Sequence, residues 1–363
     1  MNYIDTKIRS YIDAFQKLEP NMSLSIGITS PFGEDLSYFS DVFPDNEGYL
    51  YEVGSISKVY VSCYMAKLVQ EKKINLEDTI DKYLDLPKGK VYPKLVSLMT
   101  HTSGYAPLLS IRFIWAYLLK NKNMKVNLYK GVKSNHLCKQ INSFSLKNKK
   151  YKYHYTDING AILGEIISKV EKIPFHIAMN DFLKNHLSLP NSILSAGTPR
   201  NLESYYRKKI RYHLNWETDD VYAASGGILT TISDSVIFLK EQLEHNPSYL
   251  ALTQNKYERI MFNGRPMAMG LGWHMYPDGN YMFHKGGTSC FRASYLIEKK
   301  KKFGVVVLAN VIGNREYNTT KLSMMLRKKI KELLLEKKAQ SKINKKTKED
   351  YDWFGRENNQ YEI

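Results

Sequence analysis

Cysteine is scarce in this chain: Cys63, Cys138 and Cys290 are few, odd in number and scattered. That suggests neither a disulfide framework nor a cysteine-built metal knuckle, and it fits a reducing compartment. No secretory leader is expected either. Met1-Asn2-Tyr3-Ile4-Asp5 has no basic start, apolar run or small-residue cleavage site, so the expected location is the cytoplasm. No apolar run is long enough to cross a bilayer; the richest, Leu108 to Leu119, is interrupted by Arg112. A Gly-rich phosphate loop and a basic-aromatic module are missing as well, which removes the usual signatures of nucleotide and nucleic-acid binding.

Positive charge, by contrast, is plentiful. A net charge of +17 admits nucleic acid, an anionic membrane face or an anionic wall polymer as partner. Lys, Asn, Ile and Tyr are abundant together, however, the mark of a biased coding composition. No specific nucleic-acid partner is therefore expected; a small-molecule or peptide substrate is, with weak association to anionic surfaces left open. The 363 residues suffice to bury a substantial core without staples.

Along the chain, Ile4, Ile8, Tyr11, Ile12 and Phe15 recur at helical spacing and predict an amphipathic helix that packs on a sheet. Ser23 to Ile28 alternates with period two, and Pro31-Phe32-Gly33 turns it towards a second strand near Leu36 to Phe39. Val53-Gly54-Ser55-Ile56-Ser57-Lys58 then opens a segment to about Lys72. If it is helical, Ser55 and Lys58 share one face near the first turn. A neutral amine there accepts the serine proton, and the positive helix end favours an oxyanion. Read alone, such a pair is far more often an N-cap serine and a solvated surface lysine than a nucleophile and its base; the motifs that follow in order are what lift it.

His101 sits among small hydroxyl residues that suit a loop tying up backbone groups, a structural place more than a catalytic one. Ile111 to Leu119 reads as a helix packed on the body, with a lid or membrane-surface helix as alternatives. Tyr155-Thr156-Asp157 precedes Ile158, Ile162, Ile166 and Ile167, an amphipathic helix in which Gly160 and Gly164 allow close approach. A tyrosine at its mouth serves as a proton relay or as an interfacial core residue. Pro190 to Tyr222 reads as loop-rich, with a solvated Arg-Lys cluster at 207–211. The last third reads as antiparallel strands with hairpin tips at Asp278-Gly279 and Lys299 to Lys302, and His284-Lys285-Gly286-Gly287-Thr288 lies between the middle strands. A helix from about Asn318 to Leu335 follows, and the Lys-rich segment beyond it reads as disordered.

Ser55-Ile56-Ser57-Lys58, Tyr155-Thr156-Asp157 and His284-Lys285-Gly286 stand in the order and approximate spacing of a known set. On these residues the chain resembles the serine β-lactamase and penicillin-binding-protein superfamily, in its class C β-lactamase and D-alanyl-D-alanine carboxypeptidase branch; Ser-x-x-Lys is that superfamily's first motif. Leu98-Met99-Thr100-His101-Thr102-Ser103-Gly104, Ala224-Ser225-Gly226-Gly227 and Gly270-Leu271-Gly272-Trp273 are similar to stretches common in that branch. The resemblance implies an α+β fold, an antiparallel sheet flanked by helices with an inserted, mostly helical lobe. The single catalytic domain spans 1–336, with an α/β lobe at 1–85 plus 262–336, a helical lobe at 86–261 and the tail at 337–363.

The resemblance also implies roles. Ser55 is the nucleophile that forms an acyl-enzyme, Lys58 the amine that takes or shares its proton, and Tyr155 the proton relay. The N–H groups of Ser55 and Gly287 form an oxyanion hole, and Asp157, His284 and Gly286 line the substrate site. No cofactor or metal is implied. Two residues depart from the pattern. Asp157 replaces the usual Asn, and when ionised it only accepts hydrogen bonds: it pairs with Lys58, or it selects a substrate bearing a donor or cation. His284 replaces the frequent Lys, as in several esterases and peptidases of the group, and carboxylate recognition through it would fade as pH rises. Lys285 would supply a fixed charge, but strand alternation points it the other way. The expectation is a serine hydrolase of small peptides, amides or esters, of D-amino-acid peptidase, carboxypeptidase or esterase type, with little β-lactamase activity. An acyl-transferase or a silent ligand-binding relative is the alternative.

Overall fold

The computed structural model describes residues 2–40, 48–106, 127, 129–194, 202–206, 209–213, 216–288, 291–311 and 313–358, with backbone alone for 202–206, 209–213 and 342–358. The Leu108 to Leu119 segment and Cys290 lie outside the described residues. Helix α1 (Thr6–Leu18) starts where the Asp5 carboxylate accepts the Ile8 N–H, which satisfies one of the free donors of the first turn. Strands β1 (Leu24–Ser30) and β2 (Gly33–Phe39) form the expected hairpin. After β3 (Tyr51–Glu52) comes helix α2 (Ser57–Gln70), which is apolar and buried all round, as befits a helix at the centre of a molecule.

The chain next builds a mostly helical region: α3 (Leu95–Met99), α4 (Ser134–Ser143), α5 (Ile158–Glu171), α6 (Phe175–Asp181), α7 (Ala223–Gly226), α8 (Ile232–Glu244) and α9 (Leu250–Thr253). Two short strands, β4 (Ile193–Leu194) and β7 (Ile228–Thr230), join β3 in a small antiparallel sheet. A hairpin of β5 (Leu202–Tyr206) and β6 (Lys209–His213) occupies the stretch that reads as loop. Its sequence lacks the apolar alternation that marks a half-buried strand, so the pattern hid it.

The chain then returns through β8 (Glu258–Phe262), β9 (Arg265–Met269), β10 (His274–Met275), β11 (Tyr281–Gly287), β12 (Arg292–Glu298) and β13 (Phe303–Ala309). With β1 and β2 these make one antiparallel sheet in the order β2-β1-β13-β12-β11-β10-β9-β8. The chain thus re-enters the sheet at Glu258, ahead of the expected lobe boundary at 262.

Both faces of the sheet are covered, which is why β13 reads as an unbroken apolar run. Phe303, Val305, Val307 and Ala309 pack with α1 and the last helix, α10 (Thr319–Asn358), while Val306 and Leu308 join the core around α2. Helix α10 corrects one expectation, because it continues to Asn358 through the segment read as disordered. Among the described side chains, full burial ends with Ile330; beyond it, Glu, Lys, Ala and Gln are good helix formers and extend the helix by propensity.

Candidate active site

From Tyr51 to Leu68 every residue is buried except Ser55. Ser55 lies in a single 3-10 turn, Gly54–Ile56, that feeds α2, so the helix's positive end faces its hydroxyl. The turn is seated on β11 so tightly that side chains are forbidden at the contact. A Cβ on Gly286 would stand 1.7 Å from the Val53 carbonyl oxygen, and one on Gly54, whose φ is +55°, would stand 2.7 Å from the Gly287 nitrogen. The glycines of the third motif therefore let the strand's main chain lie against the serine's own turn. They sit inside β11, not between strands as the sequence reading places them, because backbone pairing with β12 continues through Gly286 and Gly287.

Lys58, only 4% exposed, points its ammonium at three acceptors. It lies 2.7 Å from Asp157 Oδ1, and it donates to the Ser225 carbonyl at 2.9 Å and to Ser55 Oγ at 3.2 Å. Asp157 precedes α5, and its other oxygen accepts from the Tyr129 hydroxyl at 2.6 Å. The Tyr129 ring stacks on Tyr222 at 4.4 Å. Ser225 is drawn into place because its hydroxyl donates to the Asp157 carbonyl at 2.6 Å, where Gly160 leaves room for it.

The electrostatics follow from this packing. Burial lowers the Lys58 pKa, but the Asp157 carboxylate and, after it, the neighbouring Tyr155 more than offset it, and the lysine is held above its usual range. Burial likewise raises Asp157, yet Lys58 and the Tyr129 hydrogen bond bring it below the usual carboxylate value. Both partners shift in the direction of an ionised pair. Of the two uses open to Asp157 in the sequence, the structure shows the first: it pairs with Lys58.

Tyr155 stands beside this pair, its ring centroid 5.1 Å from Lys58 Nζ. The ring stacks on His101 at 4.3 Å and lies 6.4 Å from His284. The buried Tyr155 hydroxyl has no hydrogen-bond partner among the described residues. His101 Nδ1 faces the Asn159 amide at 3.3 Å and the Thr156 N–H at 3.4 Å, two donors that suit an unprotonated nitrogen. Burial holds His101 well below its ordinary value.

His284 shares the α2-facing side of β11 with Gly286, and it is buried with both ring nitrogens unpartnered among the described residues. Burial first, then neighbouring His274 and Lys58, push its pKa well below the ordinary 6.5. This corrects the expectation of a histidine titrating near neutrality: its charged form has lost water and gained a nearby cation. His274, 5.4 Å away, shares a 2.8 Å hydrogen bond with Tyr153 and is pushed down to about 4 by burial. Lys285 is exposed on the opposite face, as alternation requires.

The structure thus gathers Ser55, Lys58, Tyr155, Asp157, His284, Gly286 and Gly287. Sequence reasoning missed Tyr129 and Ser225 as members, and it placed His101 in a loop without seeing it stacked beneath Tyr155. Only Ala224-Ser225-Gly226-Gly227 carried a signal. Tyr129 carried none, as one of 27 tyrosines in a Lys- and Asn-rich stretch.

A family model described as Beta-lactamase matches residues 43–323, well over half of the chain and all three motifs. The chain belongs to the Beta-lactamase family. Protein flp of Staphylococcus aureus (strain N315) is 26% identical over 292 residues, covering 74% of this chain and 53% of that protein. The chain therefore spans about half the length of the curated relatives it matches. A class C β-lactamase from Rhodobacter sphaeroides superimposes with a TM-score of 0.73 at 18% identity, covering 90% of this chain and 99% of that one. A β-lactamase/D-alanine carboxypeptidase from Pseudomonas syringae gives 0.72 at 18% identity, covering 90% and 98%. The α+β architecture of the Beta-lactamase family, antiparallel sheet plus helices, is the fold described above. No described helix is long and apolar enough to cross a membrane.

Proposed function

We propose that this protein is a serine acyl hydrolase that passes through an acyl-enzyme on Ser55 and acts on small peptides, amides or esters. The observation that carries the reading is that Ser55 alone breaks an otherwise buried stretch, with the Lys58 ammonium 3.2 Å from its hydroxyl. In this scheme Ser55 Oγ bonds to the acyl carbon and its proton passes through Tyr155 to the leaving group. Water then attacks the acyl carbon, a proton returns to Oγ, and the acid departs. Lys58 as an ammonium stabilises the developing alkoxide, but it accepts no proton until it has lost one of its own. The Ser55 and Gly287 N–H groups serve as the oxyanion donors, each worth about a hundredfold in rate. Little β-lactamase activity is expected, since His284 gives a β-lactam carboxylate no fixed charge.

The test is intact mass after exposure to a fluorophosphonate. One adduct on the wild type and none on Ser55→Ala is the expected result; equal labelling of the two overturns the assignment. The Lys58–Asp157 pair favours a second reading, a silent ligand-binding relative whose lysine is permanently charged. Turnover of p-nitrophenyl esters or D-amino-acid amides, abolished in both Ser55→Ala and Lys58→Ala, excludes it.

A further inference from the structure

We propose that the substrate class of this site is a neutral ester or amide, and that a carboxylate beside the scissile bond is selected against. This rests on the serine hydrolase reading above and narrows its substrate. Lys58 is the one described cation that touches Ser55, and its three N–H donors are already matched by Asp157, the Ser225 carbonyl and Ser55 itself. No donor of that ammonium remains for a substrate anion. Asp157 adds a negative charge within the same contact shell.

The neighbouring cations of β11 and β12 are directed elsewhere. Lys285 is paired in register with Ser294, whose hydroxyl bonds Ser323 of α10, so Lys285 belongs to the outer face of the sheet. Arg292 stands opposite Gly287 on that same face, and its Nη1 donates to the carbonyls of Thr288 and Phe291.

The titratable side chain that β11 carries on the same side as Gly286 is His284, its ring 6.4 Å from that of Tyr155 and both its buried nitrogens unpartnered among the described residues. A neutral imidazole offers one donor and one acceptor. That pair satisfies an ester or amide carbonyl, or an amide N–H, without any charge. A carboxylate in the same place would lose its hydration next to Asp157 and gain no free counter-ion among the described residues, and an unpaired buried charge is strongly disfavoured. Burial and the nearby Lys58 keep His284 unprotonated, so the imidazole does not supply the missing charge at neutral pH.

The experiment compares two phenyl acetates that differ only on the leaving group, one carrying a 3-carboxylate and the other its methyl ester. The uncatalysed rate of each is subtracted, and fluorophosphonate labelling of Ser55 runs in parallel. The expected result is a kcat/KM at least about tenfold higher for the methyl ester, with His284→Lys moving the ratio at least about tenfold towards the acid. Equal or faster turnover of the acid by the wild type overturns the inference whatever the variant does. If Ser55 labels but neither ester turns over, both compounds are run as competitors of labelling. Protection by the methyl ester alone supports the inference; protection by the acid, or by neither, overturns it. Failure of Ser55 to label sinks the serine hydrolase reading itself, and this inference with it.

Discussion

Lys58 Nζ lies 2.7 Å from Asp157 Oδ1, closer than its 3.2 Å approach to Ser55 Oγ. The general base implied by the first motif is therefore held as an acid by the last residue of the second. Asp157 raises the lysine pKa, so Asp157→Asn lowers it and enlarges the free-amine fraction at neutral pH. Second-order labelling of Ser55 by a fluorophosphonate is expected to rise about tenfold near pH 7, with its basic limb displaced to lower pH. An unchanged profile would show that Lys58 protonation does not limit the serine.

Tyr129→Phe keeps the ring that stacks on Tyr222 and removes only the hydroxyl that donates to Asp157. A lost hydrogen bond to a charged group costs about 2 kcal/mol, measured by urea denaturation. The sign with pH follows from the lowered Asp157 pKa. Its contribution is present above the unfolded value of 3.8 and is lost as pH falls through the folded value. Without the tyrosine donor the folded value rises, so the variant loses less to acid from this group than the wild type does. Parallel acid titrations of the two proteins would contradict the assignment.

Three histidines bear on acid stability in the same sense. His101, His274 and His284 all have folded pKa values below the ordinary 6.5. Protons therefore bind the unfolded chain first, and stability falls as pH drops below about 6.5 towards each folded value, which for His274 is about 4. Each contributes at most about 1.4 kcal/mol per pH unit in that window. Denaturant midpoints measured from pH 7 to pH 5 are expected to fall, and less steeply in His284→Gln. A flat wild-type profile would mean that these rings are not buried neutral.

Gly286→Ala drives a methyl group into the Val53 carbonyl. Strand β11 and the serine turn cannot both keep their places. A loss of at least about 3 kcal/mol by thermal or chemical denaturation is expected, together with loss of labelling. Gly33→Ala is the control for a glycine with open space around it, although its φ of +103° adds local strain. A Gly286→Ala protein as stable as the wild type would mean that the strand does not rest on the turn.

Much of the scaffold was legible because it depends on short-range patterns. Ile8, Tyr11, Ile12 and Phe15 repeat at the helical period and are buried together. The hairpin tips at Asp278-Gly279 and Lys299 to Lys302 follow from turn chemistry and recur between the observed strands. The β5–β6 hairpin and the length of α10 were not legible. One lacks alternation, and the other continues on propensity where its charge pattern reads as disorder.

By itself, the sequence determined which residue is the candidate nucleophile, which lysine shares its helix face, and the order of motifs that places the chain in the Beta-lactamase family. Those properties are local in the chain, set by residue type and by the pitch of a helix. Only the tertiary structure decided the charges: Lys58 held as an ammonium by a carboxylate far along the chain, Asp157 steadied by Tyr129, His284 kept neutral. Proton affinity depends on burial and on charges within a few ångströms, and those distances exist only once the sheet, α2 and α5 have packed together.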